Sequence, residues 1–179
     1  MHKNIVIISN YYPPEMGAAA NRIKNLAEGL QQKGNKVTVI CPLPNYPKGR
    51  IFKEYKNKFS VNEIANEITI KRYWIFPSTS KKALIRLISM FSFAWSLWFS
   101  VFSLFKRKPD VFIINSPPLL VALSGLFLSR LLRSKTVLNV SDIWPLSALE
   151  LGVIKRGFTY SLFERVEKLN YKLADKIIG

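Results

Sequence analysis

The sequence predicts a doubly wound α/β domain, a Rossmann-like parallel sheet covered by helices on both faces. Three observations predict it: apolar, β-rich runs recur along the chain, helical patterns fall between most of them, and the strand runs are near-continuously apolar instead of alternating. With 179 residues and 49% hydrophobic content, the chain suits one domain with a packed core.

The first strand is expected at Lys3 to Ser9 and the second at Lys36 to Cys41. Between them Ala20, Ile23, Leu26, Ala27 and Leu30 recur at three- and four-residue spacing, giving a helix with one apolar face that Gly34 ends. Further strands are expected at Glu67 to Ile75, Asp110 to Asn115 and Thr136 to Ser141, with a last one beginning at Asp175. Helices fill the gaps at Leu119 to Arg133 and at Phe158 to Ala174, the latter with Phe158, Leu162, Val166, Leu169 and Leu173 as its expected packing face.

Pro42 to Ser60 breaks this rhythm. Pro42, Pro44, Pro47 and Gly49 stand there among Asn, Tyr and Lys, which reads as a long loop; long loops in compact domains often carry function, and a disordered surface excursion reads equally well. Tyr46 and Arg50 are its candidate ligand contacts.

The run from Ala83 to Phe105 has Arg86 as its single charge and is long enough to cross a bilayer. A spanning helix conflicts with a β-α-β crossover, which must return to the same sheet. A buried crossover helix leaves Phe91, Phe93, Trp95, Trp98, Phe99 and Phe102 around the axis without a polar face. An interfacial helix resolves both difficulties: one face lies on the sheet and the other in the headgroup layer, with Trp95 and Trp98 at membrane depth. Lys81, Lys82, Lys106, Arg107 and Lys108 bracket the run as cations facing anionic lipid.

The formal charge of +16, from 27 Lys and Arg against 11 Asp and Glu, calls for an anionic partner. The basic residues are not interleaved with exposed aromatics, and zinc-finger, homeodomain and RNA-recognition signatures are absent, so no nucleic acid is expected. An anionic membrane surface fits better. The single cysteine, Cys41, forms no internal disulfide and reads as core.

Candidate site residues cluster at the expected carboxyl ends of strands, where doubly wound sheets build their sites. In YYPPEMGAAANR, Gly17 and Ala18 open the first helix, where free backbone N–H groups can receive phosphate; a helix-capping glycine reads equally well. The turn lacks G-x-G-x-x-G, which disfavours a tightly bound NAD or FAD. In NSPPLL, Asn115 and Ser116 end a strand. In SDIWPLSALELG, Asp142 emerges at the same edge, followed by Trp144. A carboxylate there can orient or deprotonate an acceptor hydroxyl, or simply cap a helix. His2 is the only histidine and precedes the first strand, so a Ser-His-Asp triad and a histidine metal site are unsupported, and no metal is expected.

In combination, YYPPEMGAAANR, GNKVTVICPLPNYPKG, PDVFIINSPPLL and SDIWPLSALELG resemble the bacterial family 4 glycosyltransferases, over essentially the whole chain. Within them the sequence is similar to the WbuB-like, N-acetylfucosaminyltransferase-like enzymes of O-antigen, capsule and colanic-acid assembly. The resemblance implies the N-terminal, acceptor-binding half of a GT-B fold, with catalysis in the cleft facing a second domain. It implies a retaining transfer without bound metal or cofactor. The donor would be a nucleotide sugar, UDP-linked, held mainly by the second domain, and the acceptor a polyprenyl-diphosphate-linked glycan at the cytoplasmic face of the plasma membrane. Gly17 would approach the donor diphosphate, and Asp142 would stand where related enzymes present an acceptor-site residue.

The family's C-terminal donor-binding domain, with its paired glutamates, has no counterpart in the chain. The fragment is therefore expected to be inactive without that domain or a partner chain supplying it. The alternative is a non-catalytic membrane-docking subunit of a split transferase. An epimerase-type enzyme would need a dinucleotide fingerprint and a Tyr-x-x-x-Lys pair, and neither is present.

Overall fold

The computed structural model describes residues 2–80, 83–150 and 155–179. Strands β1 (Asn4–Ile8), β2 (Lys36–Pro42), β3 (Ser60–Ala65), β4 (Ile68–Tyr73), β5 (Val111–Ser116), β6 (Lys135–Val140) and β7 (Lys176–Ile178) form one sheet in the order β3-β4-β2-β1-β5-β6-β7. All neighbours are parallel except β3 and β4. The expected doubly wound α/β class is the observed one.

Helix α1 (Ala18–Gln32) covers one face of the sheet, its Ile23 and Ala27 packing on Ile5, Ile7, Val37, Val39, Ile68 and Ile70. The other face takes α2 (Ala83–Ser96), a 3₁₀ turn at Leu97–Ser100, α3 (Val101–Phe105) and α4 (Leu119–Leu131). Phe93, Leu97 and Leu104 join Val6, Ile8, Ile114 and Leu126 in that core, and each fully buried side chain of this size contributes about 1.5–3 kcal/mol. Gly125 lets α4 approach closely, because a Cβ there would stand 2.9 Å from Ile8 Cδ1.

Two further helices follow, the short α5 (Leu146–Glu150) and α6 (Phe158–Leu173). The expected packing face of α6 is corrected by the structure. Phe158 is 85% exposed and Leu162 and Leu169 are also exposed, whereas Phe163, Glu167 and Asn170 are buried. Contacts to other elements set this rotation: Asn170 Nδ2 donates to Leu119 O at 3.0 Å, and Phe163 packs edge-on against Trp144.

Strand β3 was not expected. It forms a hairpin with β4 through Asn66 and Glu67, both at positive φ, and adds an antiparallel edge to the sheet. The long loop before it is present, with a single 3₁₀ turn at Lys53–Tyr55.

Candidate functional site

Three segments meet at the carboxyl ends of the central strands. After β1 the chain turns through Tyr11 to Gly17, after β2 through Leu43 to Arg50, and after β6 through Ser141 to Trp144. Glu15 and Arg22 join them.

Glu15 is 3% exposed, and its Oε1 accepts the backbone N–H of Asn45 at 2.8 Å and of Tyr46 at 3.0 Å. Burial pushes its pKa up, and the hydrogen bonds from Asn45, Tyr46 and Tyr12 oppose that shift. Tyr46 meets Tyr11 edge-on, with ring centroids 5.8 Å apart, and stands beside Gly17, where an added Cβ would lie 4.0 Å from its ring. Gly17 precedes α1 at φ +133°, a conformation that glycine alone adopts readily. Its N-cap position leaves the first amides of α1, beginning at Ala18, at the carboxyl edge.

On the other side of this turn, Arg22 of α1 donates through Nη2 to Ser141 Oγ at 2.5 Å. Asp142 follows directly. Its exposed carboxylate accepts the Ser147 hydroxyl at Oδ2, 3.0 Å, and among the described residues Oδ1 has no hydrogen-bond partner. That free oxygen can accept a proton or orient a ligand hydroxyl.

Beneath the loop lies a buried charge network. Arg72 is 2% exposed and donates to Glu63 Oε2 at 2.8 Å, to Pro13 O at 2.5 Å and to Cys41 Sγ at 3.3 Å. Its guanidinium also stands 5.4 Å from the Tyr55 ring centroid. Cys41 is fully buried in the core, as the sequence suggested, and this burial raises its thiol to about 12, with Arg72 opposing the rise and Glu15 and Glu63 adding to it.

The loop also builds an open groove of about 970 Å³. Arg50, Lys53, Lys56 and Lys58 line it together with the aromatic faces of Phe59, Trp74 and Trp95. Phe59 meets Trp95 at 6.2 Å and Phe99 at 5.0 Å, so the groove runs without interruption into the exposed side of the segment formed by α2, the 3₁₀ turn and α3. That side carries Ile88, Phe91, Trp95, Trp98, Phe99, Phe102 and Phe105 as an outward stripe, while Phe93, Leu97 and Leu104 face the core. By length and composition alone, Leu87–Phe105 is long and apolar enough to cross a membrane.

Against this geometry, residues 17–179 match the family model for a glycosyl transferase 4-like domain. The chain belongs to that family.

This glycosyl transferase 4-like domain is 27% identical over 153 residues to the putative colanic acid biosynthesis glycosyl transferase WcaI of Escherichia coli (strain K12). The alignment covers 86% of the chain and 37% of that protein, so the chain spans little more than a third of its relative's length. Among solved structures, the catalytic domain of Starch Synthase IV from Arabidopsis thaliana, bound to ADP and acarbose, matches with a TM-score of 0.53 at 14% identity. That match covers 78% of this chain and 34% of the synthase chain, and at such identity it shows the fold alone.

The structure brings together Gly17, Ala18 and Tyr46 at one turn, and Arg50 with Trp95 in one groove. Asn115 and Ser116 are buried at the end of β5: Asn115 Oδ1 accepts from Asn139 Nδ2 at 2.7 Å, and Ser116 O accepts the Ser141 N–H at 2.8 Å. Both therefore lie beneath the Asp142 turn and support it. Trp144 packs on Phe163 with centroids 4.6 Å apart. Lys106, Arg107 and Lys108 stand at the opposite, amino edge, where Asn4 Nδ2 donates to Arg107 O and Lys108 O. Lys81 and Lys82 lie outside the described residues.

Sequence reasoning missed Asn10, Glu15, Arg22 and Arg72. Asn10 lies just past the end of β1, with a buried Oδ1 that has no partner among the described residues. Glu15 and Arg22 flank Gly17 within the quoted motif, so their position was the available signal. Arg72 had none, being a cation within an apolar strand. Among the described residues no three His, Cys, Asp or Glu side chains converge as a metal-ligand set.

Proposed function

We propose that the chain is the acceptor-side domain of a retaining, WbuB-like glycosyltransferase. It transfers a sugar from a UDP-linked nucleotide sugar to a polyprenyl-diphosphate-linked glycan in surface polysaccharide synthesis, O-antigen or capsule. It works peripherally at the cytoplasmic face of the plasma membrane, joined to a donor-binding half that supplies the nucleotide site and without which it is inactive.

The observation that carries this reading is the continuity of one surface. The Gly17 turn, the Tyr46 loop and the cation-lined groove share the carboxyl edge, and the groove opens onto the aromatic stripe of α2. In this reading Arg50, Lys53, Lys56 and Lys58 hold the acceptor's diphosphate, while Phe59, Trp74 and Trp95 hold its first isoprene units. Asp142 Oδ1 orients or deprotonates the attacking hydroxyl, and Gly17 lets the donor diphosphate approach the amides of α1.

The test is a transfer assay with the chain joined to its donor-binding half, lipid-linked acceptors and a panel of UDP-sugars. Asp142→Asn should lower kcat by about 10²–10⁴-fold with intact membrane binding, in the range of general-base contributions. Unchanged turnover would remove Asp142 from the chemistry. The exposed stripe also favours a second reading, a non-catalytic docking subunit. That reading fails if Arg50→Ala raises the acceptor KM while vesicle binding is retained.

A further inference from the structure

An open depression at the amino edge plays no part in the transfer just described. Strand register puts Thr69, Thr38 and Val6 in one row and Asn62, Lys71 and Ile40 in the next, on the sheet face that carries α2, α3 and α4. A covering helix over β3, β4 and β2 would require apolar residues in those rows. Threonine, asparagine and lysine stand there instead, and the result is a depression of about 430 Å³.

Lys36, Lys71, Lys106 and Arg107 all line it, and among the described residues none of the four forms an ion pair with a carboxylate. Burial, with the Arg107 charge beside it, pushes the Lys71 ammonium below its ordinary range. The cluster is thus a concentration of positive charge without ion-pair partners among the described residues, the neighbouring Asp110 carboxylate being engaged by the Asn4 backbone N–H at 2.7 Å. At its rim stands Phe102, 72% exposed, the last-but-one side chain of the aromatic stripe.

We infer that this depression receives the phosphate headgroup of an anionic glycerophospholipid, a fixed lipid site separate from the acceptor groove. The inference rests on the membrane-surface reading above. Charge complementarity selects the phosphate, and Thr69 and Asn62 supply neutral hydrogen-bonding groups beside the cations. Continuity with Phe102 selects the lipid over a free anion, because acyl chains leaving the depression meet the stripe directly.

The experiment compares partition onto phosphatidylcholine vesicles containing phosphatidylglycerol. Three proteins are used: the unmodified protein, Lys71→Gln/Arg107→Gln, and Lys24→Gln/Lys33→Gln, on α1 and at its C-cap, where α1 covers the opposite sheet face. Partition should fall about thirtyfold for the depression pair, at roughly 1 kcal/mol per cation at an anionic surface, and less than about threefold for the α1 pair. Should the double variant not fold, Arg107→Gln alone, at an exposed position, is expected to lose about fivefold. Monomeric dihexanoyl-phosphatidylglycerol should shift the Lys71 and Arg107 amide resonances saturably, and inorganic phosphate at the same concentration should not. If the unmodified protein ignores the vesicles, the membrane-surface reading itself fails. If it binds them and the depression pair loses no more than the α1 pair, the lipid site alone is overturned. Equal shifts with inorganic phosphate would make it a free-anion site and overturn the lipid assignment.

Discussion

The Glu15 carboxylate accepts the backbone N–H of Tyr46 at 3.0 Å and so ties the turn after β1 to the loop after β2. The Gly17 turn and the Tyr46 ring keep their mutual position through this one buried acid. Because burial raises its pKa, its contribution to stability is fully present below the ordinary value of 4.5 and is lost as pH rises through the folded value. Urea midpoints of the wild type should therefore fall, relative to Glu15→Gln, as pH increases from about 4.5 upward. Parallel pH profiles for the two proteins would show that the carboxyl is not perturbed.

Arg72 is held by three acceptors on separate segments, so its removal leaves several groups unpaired at once. Arg72→Met should cost about 3–5 kcal/mol in urea unfolding, the range for one lost partner of a buried pair. Glu63 is partly exposed and can rehydrate, which points to the lower end. A loss below about 1 kcal/mol would mean that the network contributes little.

Phe91 and Phe102 are 63% and 72% exposed, so glutamate at either position removes no core contact. Phe91→Glu/Phe102→Glu should leave unfolding within about 0.5 kcal/mol per site of the wild type. Flotation with anionic vesicles should nonetheless drop more than tenfold, since the variant loses buried apolar area and gains two negative charges. Undiminished flotation would exclude the stripe as the membrane contact.

At Gly17 there is room for a methyl group, with the nearest atom 4.0 Å away, but φ is +133°. Gly17→Ala should thus cost about 1–3 kcal/mol through backbone strain alone. In the assembled enzyme it should raise the KM for the nucleotide sugar more than that for the lipid-linked acceptor. Equal effects on both constants would place Gly17 outside the donor path.

The parallel strands and α1 were legible because their apolar spacing is a direct record of two-sided burial. Strand β3 was not: SVNEIA mixes polar and apolar side chains, its Ile64 is exposed, and the Asn66-Glu67 turn lacks the Asn-Gly signal of a tight hairpin. The face of α6 was misread because hydrophobic spacing alone ignores the amide of Asn170, whose bond to Leu119 O turns the helix. At the candidate site, Gly17 and Asp142 were placed at the carboxyl edge by their positions in the motifs and Tyr46 by its long loop, and the structure brings Tyr46 beside Gly17. The alliance of Arg50 with Trp95 was not, since it joins residues from a loop and a distant helix that only the folded chain makes neighbours.

The path of α2 and α3 carries one more consequence. They lead from the carboxyl end of β4 back to the amino end of β5, so their outward stripe runs alongside the strands and not across their ends. A surface touching that stripe along its length meets the sheet flank-first, leaving the carboxyl edge open sideways. Under the proposed membrane-surface reading, a lipid-linked glycan would then need only a short lateral swing to bring a hydroxyl near its own diphosphate to that edge. Under that same reading a long glycan would have to double back toward its anchor, which would suit a sugar addition made while the glycan is still short.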